Sequence, residues 1–466
     1  MMVCRLWSVL HVAATVGLLL WSGLPAMAQS AAAAPVSRQA QAASAQKKDT
    51  KLEGLLADRF SGDPARQESA RRALAGRLAN AVGRERAWQA YKAAPAQAAL
   101  RAEWEAKTVA TSDRESPYRW RYVGTKPAAG WGLVIAMHGG GGTTKQVNDG
   151  EWNYMFSTYY RDHPESGGYV YLALRAPNDA WNGFYDDAIC PLVEKLIKEF
   201  VLFAEVDPDR VYTLGASHGG YGAFVIGPKI PYRFAVVHAA ASAPSDGVTM
   251  GENLRNTRFT FIVGEKDTAY GRADRCHKFE EQVEKWREQY GGFSGKFECP
   301  TGVGHLVPDH DELAEMVKSI RNPHPDFVVW TQSDSVLKRS YWVEAPAPVN
   351  QGHVEAKIVG NAITVRAKNQ ARLALWLDAG MVDMKKPVTV DVEGGKPQIF
   401  HLKPNLETFC QGLEATADPR LTAPARIEVS LLPQRNFGKA ALSTVSPSRS
   451  RHRYTALRPS DGNAPR

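Results

Sequence analysis

Val211-Tyr-Thr-Leu-Gly215-Ala-Ser217-His-Gly219-Gly220-Tyr221 turns from an apolar, strand-like run into a helical one around a single serine. A serine held on such a tight turn needs small neighbours, because its backbone is strained and packed against adjacent strands. Gly215 and Gly219 supply that room, and the helix that starts behind Ser217 favours negative charge at its beginning. Gly-x-Ser-x-Gly occurs often by chance. Its position between a strand and a helix is what marks Ser217 as a candidate nucleophile.

Strand-like and helix-like segments alternate on both sides of this turn. The pattern predicts strands over Tyr118–Val123, Trp131–Met137, Tyr169–Leu174, Val211–Leu214, Phe234–His238, Phe259–Val263 and Lys296–Cys299. It predicts helices over Asp186–Ala204, His218–Ile226, Arg272–Tyr290 and Asp311–Ile320. Continuous apolar strands alternating with helices indicate an α/β domain, spanning 116–324, whose mainly parallel sheet is covered on both faces. Beyond Pro325 short strand-like runs take over, separated by turn signals such as Gly360-Asn361, Asp378-Ala-Gly380 and Gly394-Gly395. These predict a small all-β, sandwich-like module over 325–432.

The other chemistry-bearing residues fall at the ends of predicted strands. His138-Gly139-Gly140-Gly141-Gly142 follows the strand ending at Met137. Consecutive glycines let backbone N–H groups turn towards a ligand oxygen, so Gly139 and Gly140, with the N–H of His218, are candidate oxyanion donors. A phosphate cradle of the Walker type would need Gly-Lys-Ser/Thr, and Thr143-Thr-Lys145 has the wrong order. Gly264-Glu265-Lys266-Asp267 follows the predicted strand Phe259–Val263; Asp267 is the candidate acid and Glu265 its competitor. His305 closes the glycine-bearing loop Cys299-Pro-Thr-Gly-Val-Gly-His305 and is the candidate base, with His310 as the alternative.

Aromatic residues cluster after two of these strand ends. Trp152 and Trp181 are the candidate substrate-binding rings, suited to stacking on a sugar or a phenolic acid, although filling the core would use them equally well. Cys276 lies just after the acid loop and Cys299 just before the histidine loop, so a disulfide between them would tie the two loops together. In the chain-entropy model such a bridge contributes about 3 kcal/mol.

The flanks read differently. Residues 1–28 have a positive start at Arg5, an apolar run and a Leu24-Pro-Ala-Met-Ala28 ending, the pattern of a cleaved signal peptide. The apolar run is short for a bilayer span. A flexible leader over 29–50 and a helical segment over 51–115 follow, the latter with Leu74, Leu78, Val82, Trp88 and Tyr91 at helix-like spacings. Residues 433–466 are predicted to be a disordered basic tail. The chain of 466 residues carries a formal charge of +8, of which +6 sits in that tail and +1 in the signal-like segment. Basic and acidic residues are interleaved in the helical segment, which argues against nucleic acid as a partner. The tail allows only weak contact with an anionic surface.

Together His138-Gly-Gly-Gly, Val206-Asp-Pro-Asp-Arg-Val-Tyr212, Gly215-Ala-Ser-His-Gly219, Gly264-Glu-Lys-Asp267 and Gly304-His305 resemble the α/β-hydrolase superfamily over Tyr118 to Arg321. They are most similar to the secreted esterases related to polyhydroxybutyrate depolymerases, feruloyl esterases and acetylxylan esterases, and share much with phospholipase/carboxylesterase proteins. The resemblance implies Ser217 as nucleophile, His305 as base and Asp267 as acid in a serine ester hydrolase. The signal-like start predicts a secreted or periplasmic protein, and the resemblance implies action on small-molecule or polysaccharide-linked esters without a metal or organic cofactor. A peptidase of prolyl-oligopeptidase type and a non-catalytic carbohydrate- or surface-binding protein are the alternatives; no β-propeller precedes the core, which counts against the former.

Overall fold

Trp131–Met137 and Tyr169–Leu174 are apolar almost throughout, and both are buried on both faces as strands at the middle of one sheet. The computed structural model describes residues 50–305, 311–334 and 336–431. The signal-like segment, His310 and the basic tail therefore lie outside the described residues. Contacts divide the chain between Gly54 and Leu55. In the first unit the described residues 50–54 are helical; the second unit, Leu55 onward, carries everything below.

The central sheet comprises β1 (Thr108–Ala110), β2 (Glu115–Val123), β3 (Trp131–Met137), β4 (Tyr169–Leu174), β5 (Val206–Ala216), β6 (Val236–Ala240), β7 (Arg258–Ile262) and β8 (Gly295–Glu298). Its strand order is β1-β2-β4-β3-β5-β6-β7-β8. β1 and β2 run antiparallel to their neighbours, and the strands from β4 to β8 are parallel. From β3 the chain goes first to one side, into β4, and then to the other, into β5. Such a reversal leaves a crevice at the carboxyl ends of the strands, where α/β sheets bind their ligands.

Helices cover both faces. α1 (Pro64–Ala75), α2 (Ala81–Lys92) and α3 (Ala98–Ala106) precede the sheet; α4 (Lys145–Tyr154), α5 (Ile189–Phe203), α6 (His218–Lys229) and α7 (Arg272–Tyr290) connect its strands, and α8 (Glu312–Met316) follows the last of them. α5 buries Leu192, Val193, Leu196, Ile197 and Phe200, an i, i+3/i+4 stripe against the sheet. α8 is shorter than the periodicity predicts: it ends at Met316, and the chain then turns so that the N–H of Arg321 bonds to Asp209 O at 2.8 Å. The helix-like spacing of Leu78 and Val82 also misleads. Both are more than half exposed, because Gly76 ends α1 and Asn80 caps a new helix between them.

The C-terminal region forms two sheets. β9 (Phe327–Thr331), β12 (His353–Val359), β13 (Ala362–Lys368), β15 (Val388–Val392) and β16 (Gln398–Phe400) make one. β10 (Arg339–Ser340), β11 (Val343–Glu344), β14 (Arg372–Leu377) and β17 (Ala425–Ser430) make the other. The run Ser340–Glu344, strand-like in sequence, is broken at Tyr341, whose φ of 51° folds the segment back on itself. A helix, α9 (Leu406–Thr416), is capped by Asn405 and buries Leu406, Phe409, Cys410 and Leu413, an element that reading only for strands does not reveal.

The flanking layers are tied into one body by buried charges. Arg59 is bound by Glu407 and Glu414 of α9 at 2.8 and 2.7 Å. Arg321 reaches both Asp209 of β5 and Asp418 beyond α9, at 2.6 and 2.9 Å, and all three side chains are buried. Removing one partner from such a cluster leaves a charge in the interior with nothing to neutralise it.

Candidate active site

Ser217, Asp267, His305 and the glycine loop from His138 all lie beyond the carboxyl ends of parallel strands, β5, β7, β8 and β3. Ser217 follows β5 with φ 53° and ψ −114°, a strained conformation for a residue with a side chain. The turn is this tight because its neighbours are glycines. A Cβ on Gly215 would meet Gly219 O at 2.1 Å, and one on Gly219 would meet Met137 O at the same distance. Backbone bonds fix the serine: its N–H reaches Ala240 O, and the N–H of Gly219 reaches His138 O, both at 2.9 Å.

His305 Nε2 lies 3.0 Å from Ser217 Oγ, and His305 Nδ1 lies 2.8 Å from Asp267 Oδ2. Asp267 as a carboxylate only accepts, which assigns the imidazole proton to Nδ1 and leaves the Nε2 lone pair facing the serine hydroxyl. Asp267 is buried, whereas the imidazole is 42% exposed and open to an entering molecule. The second oxygen of Asp267 accepts from Arg272 Nη1 at 2.7 Å, and Arg272 Nε donates to Tyr221 Oη. Arg272 thus orients the carboxylate from behind, a role its place in a mixed-charge helix does not announce.

Glu265, the competing acid, has a different position. Its carboxylate accepts from the N–H of Gly302 at 2.8 Å, and the backbone N–H groups of Glu265 and Lys266 reach Pro300 O and Val303 O. These bonds lace the acid loop to the histidine loop. The expected disulfide does not: Cys276 and Cys299 are both free, and the buried Cys276 Sγ donates to Ser242 O. Cys276 sits on the inward face of α7, where a hydrogen bond rather than a partner sulfur satisfies it.

The glycine loop lies over the serine. A Cβ placed on Gly139 would be 3.7 Å from Ser217 Cβ. Gly140, Gly141 and Gly142 all have positive φ, and Gly141 N–H is anchored on Asn148 Oδ1 at 2.9 Å. His138 organises the turn from beneath. Its Nε2 accepts from the N–H of Ala176 at 3.0 Å, so the proton is on Nδ1, which donates to Gly139 O at 2.6 Å. C=O and N–H point in opposite directions across a trans peptide, so clamping Gly139 O turns the N–H of Gly140 the other way. The N–H groups of Gly139, Gly140 and His218 have no acceptor among the described residues. Burial pushes the His138 imidazole down to about 3 and that of His218 to about 4, so both rings are neutral.

The two candidate tryptophans part company. Trp152 is tied into the fold: its Nε1 donates to Ala173 O at 2.9 Å and Arg119 lies over its ring. Trp181 is 41% exposed, with its ring 5.6 Å from that of Tyr270, which is 68% exposed on the loop after Asp267. The Trp181 ring also lies tilted against those of Tyr221 and His218, 5.5 and 6.2 Å away. Tyr270, Arg272 and Asn148 are site residues that motif reading misses.

Strand order and the strand-end placement of these loops decide the architecture. The chain has an α/β-hydrolase fold. No family model matches the sequence, and no curated protein matches it. Solved structures that align include a Bacteroides ovatus protein assigned as a dipeptidyl aminopeptidase IV (15% identity, TM-score 0.34, 45% of this chain and 34% of that one). A thermostable esterase aligns at 20% identity and TM-score 0.35, over 46% of this chain and 59% of its own. A poly(3-hydroxybutyrate) depolymerase from Bordetella parapertussis aligns at 18% identity and TM-score 0.33, over 45% of this chain and 92% of its own. The chain thus spans about a third and three-fifths of the first two structures. Among the described residues no helix is long and apolar enough to cross a membrane, and no side-chain cluster could hold a metal ion.

Proposed function

We propose that the protein is a serine hydrolase of carboxylic esters, working through Ser217, His305 and Asp267 and an acyl-enzyme intermediate. The observation that carries this reading is the unbroken relay from Ser217 Oγ through the His305 ring to Asp267, on a strained turn beneath unpaired backbone donors. Ser217 Oγ attacks the ester carbonyl as its proton passes to His305 Nε2. The N–H groups of Gly140 and His218 receive the oxyanion, aided by the start of α6. Collapse of the tetrahedral intermediate breaks the C–O bond, and His305 returns the proton to the departing alcohol. Water then adds to the acyl-serine, gives a proton to His305, and the acid leaves as Ser217 regains its hydrogen.

The exposed pair of Trp181 and Tyr270 supports an ester with a flat group, a sugar or a phenolic acid, at the mouth of the site. Export to the periplasm or medium rests on the sequence of residues 1–28 alone. A panel of p-nitrophenyl, acetyl-sugar and feruloyl-sugar esters beside blocked dipeptides tests the reading. Ester turnover that falls at least about a thousandfold in Ser217→Ala is the expected result. Turnover untouched by that substitution, or confined to peptide amides, overturns it.

A further inference from the structure

We infer that Glu151 forms a cation-binding end of the acyl subsite, so that Ser217 favours esters whose acyl group carries an ammonium on the carbon α or β to the carbonyl. This rests on Ser217 being the nucleophile of an ester hydrolase. α4 is capped by Thr144 just after the glycine loop, and its direction brings Glu151 back onto that loop. The point where Gly139 would carry a Cβ is 2.9 Å from Glu151 Oε2 and 3.7 Å from Ser217 Cβ. A carboxylate therefore borders the space in which the acyl group of an acyl-serine must lie.

Glu151 has no hydrogen-bond donor and no ion-pair partner among the described residues, and it is half-buried. Other carboxylates nearby in the chain are satisfied: Asp149 pairs with Lys145 and Arg175, and Asp179 pairs with Arg175. With a neutral acyl group bound, Glu151 loses water without gaining a partner. It also faces the negative charge that grows on the carbonyl oxygen, and like charges raise each other's energy in a site screened from solvent. An ammonium between the two reverses both effects, giving Glu151 a charge-assisted hydrogen bond and placing positive charge beside the oxyanion. The reach is adequate, because an α-nitrogen stands about 2.5 Å from the carbonyl carbon by ordinary bond lengths. A substrate of the opposite sign, such as a succinyl half-ester, meets repulsion at the same place.

The test compares p-nitrophenyl esters of glycine and β-alanine with the acetate, propionate and hemisuccinate, at about pH 6.5, where an amine is charged. Each rate is corrected for spontaneous hydrolysis and measured on the full chain, Glu151→Gln, Glu151→Asp and Ser217→Ala. The expected result is that the kcat/KM ratio of amino to neutral ester falls about tenfold or more in Glu151→Gln, the worth of one charge-assisted bond. Glu151→Asp, which keeps the charge, retains part of the preference. A ratio unchanged in Glu151→Gln, or a native preference for hemisuccinate, overturns the role of Glu151 while leaving the ester hydrolase standing. Turnover of every ester that survives Ser217→Ala overturns the hydrolase reading, and this inference with it.

Discussion

Gly219→Ala is the sharpest available perturbation of the Ser217 turn. The new Cβ would lie 2.1 Å from Met137 O and 2.4 Å from Met137 C, both backbone atoms at the end of a central strand. Ordinary carbon–oxygen contact is about 3.3 Å, so the start of α6 must withdraw from β3 by about 1 Å. That movement stretches the bond from Gly219 N–H to His138 O, and it carries Ser217 and the N–H of His218 away from the glycine loop. A misplacement of about 1 Å costs on the order of a hundredfold in rate, and overpacking of this kind costs about 1–3 kcal/mol of stability. Gly227→Ala on the same helix is the control, since its Cβ would meet the Val237 side chain at 2.8 Å, far along the helix from Ser217. Steady-state ester hydrolysis and thermal unfolding should show both variants destabilised, with kcat falling about a hundredfold only in Gly219→Ala. A Gly219→Ala enzyme with native kcat, or equal losses of kcat in the two variants, would refute the reasoning.

Three other outcomes can be measured. Burial pushes the Glu199 carboxyl, which touches Tyr118 Oη, up to about 8. As pH rises from about 4.5 to that value the unfolded chain loses a proton the folded chain keeps, so stability falls by about 1.4 kcal/mol per pH unit. Glu199→Gln should therefore match the native protein in urea unfolding near pH 5 and exceed it by a few kcal/mol at pH 8; equal gaps at both pH values would exclude this account. His138→Phe removes the clamp on Gly139 O and should lower kcat by about 10²–10³, the usual loss for one oxyanion donor, with stopped-flow acylation rates as the readout. Asp418→Asn should destabilise by about 3–5 kcal/mol in chemical unfolding, because Arg321 and Arg233 lose a buried counter-charge. Unchanged unfolding would show that Asp209 and Glu194 suffice for those arginines.

What could be read from the sequence is what the backbone dictates locally. Trp131–Met137 and Tyr169–Leu174 are strands to the residue because a central parallel strand is apolar on both faces and turns abruptly at its ends. Gly215 and Gly219 were legible for the same reason: a turn with no space for a Cβ writes glycine into the chain. The C-terminal helix α9 was not, although its Asn405 cap and the spacing of Leu406, Phe409, Cys410 and Leu413 are present. Surrounding strand-like runs set the expectation there, and local periodicity was overridden by its neighbours.

Side-chain relations between distant segments follow a different logic. Arg272, Glu265 and Glu151 look alike in sequence, as charges in polar stretches, yet one holds Asp267, one laces two loops and one lies against Gly139 beside Ser217. The spacing of Cys276 and Cys299 made a disulfide the natural tie between the acid and histidine loops. The loops instead approach so closely that a Cβ on Gly264 would stand 2.2 Å from Gly304 O. At that range backbone donors reach carbonyls directly, and the glycines that permit the approach do the work a covalent bridge was expected to do. Catalytic geometry held by main-chain bonds does not depend on the redox state of its surroundings. Ester hydrolysis should accordingly survive a thiol reductant at concentrations that open exposed disulfides.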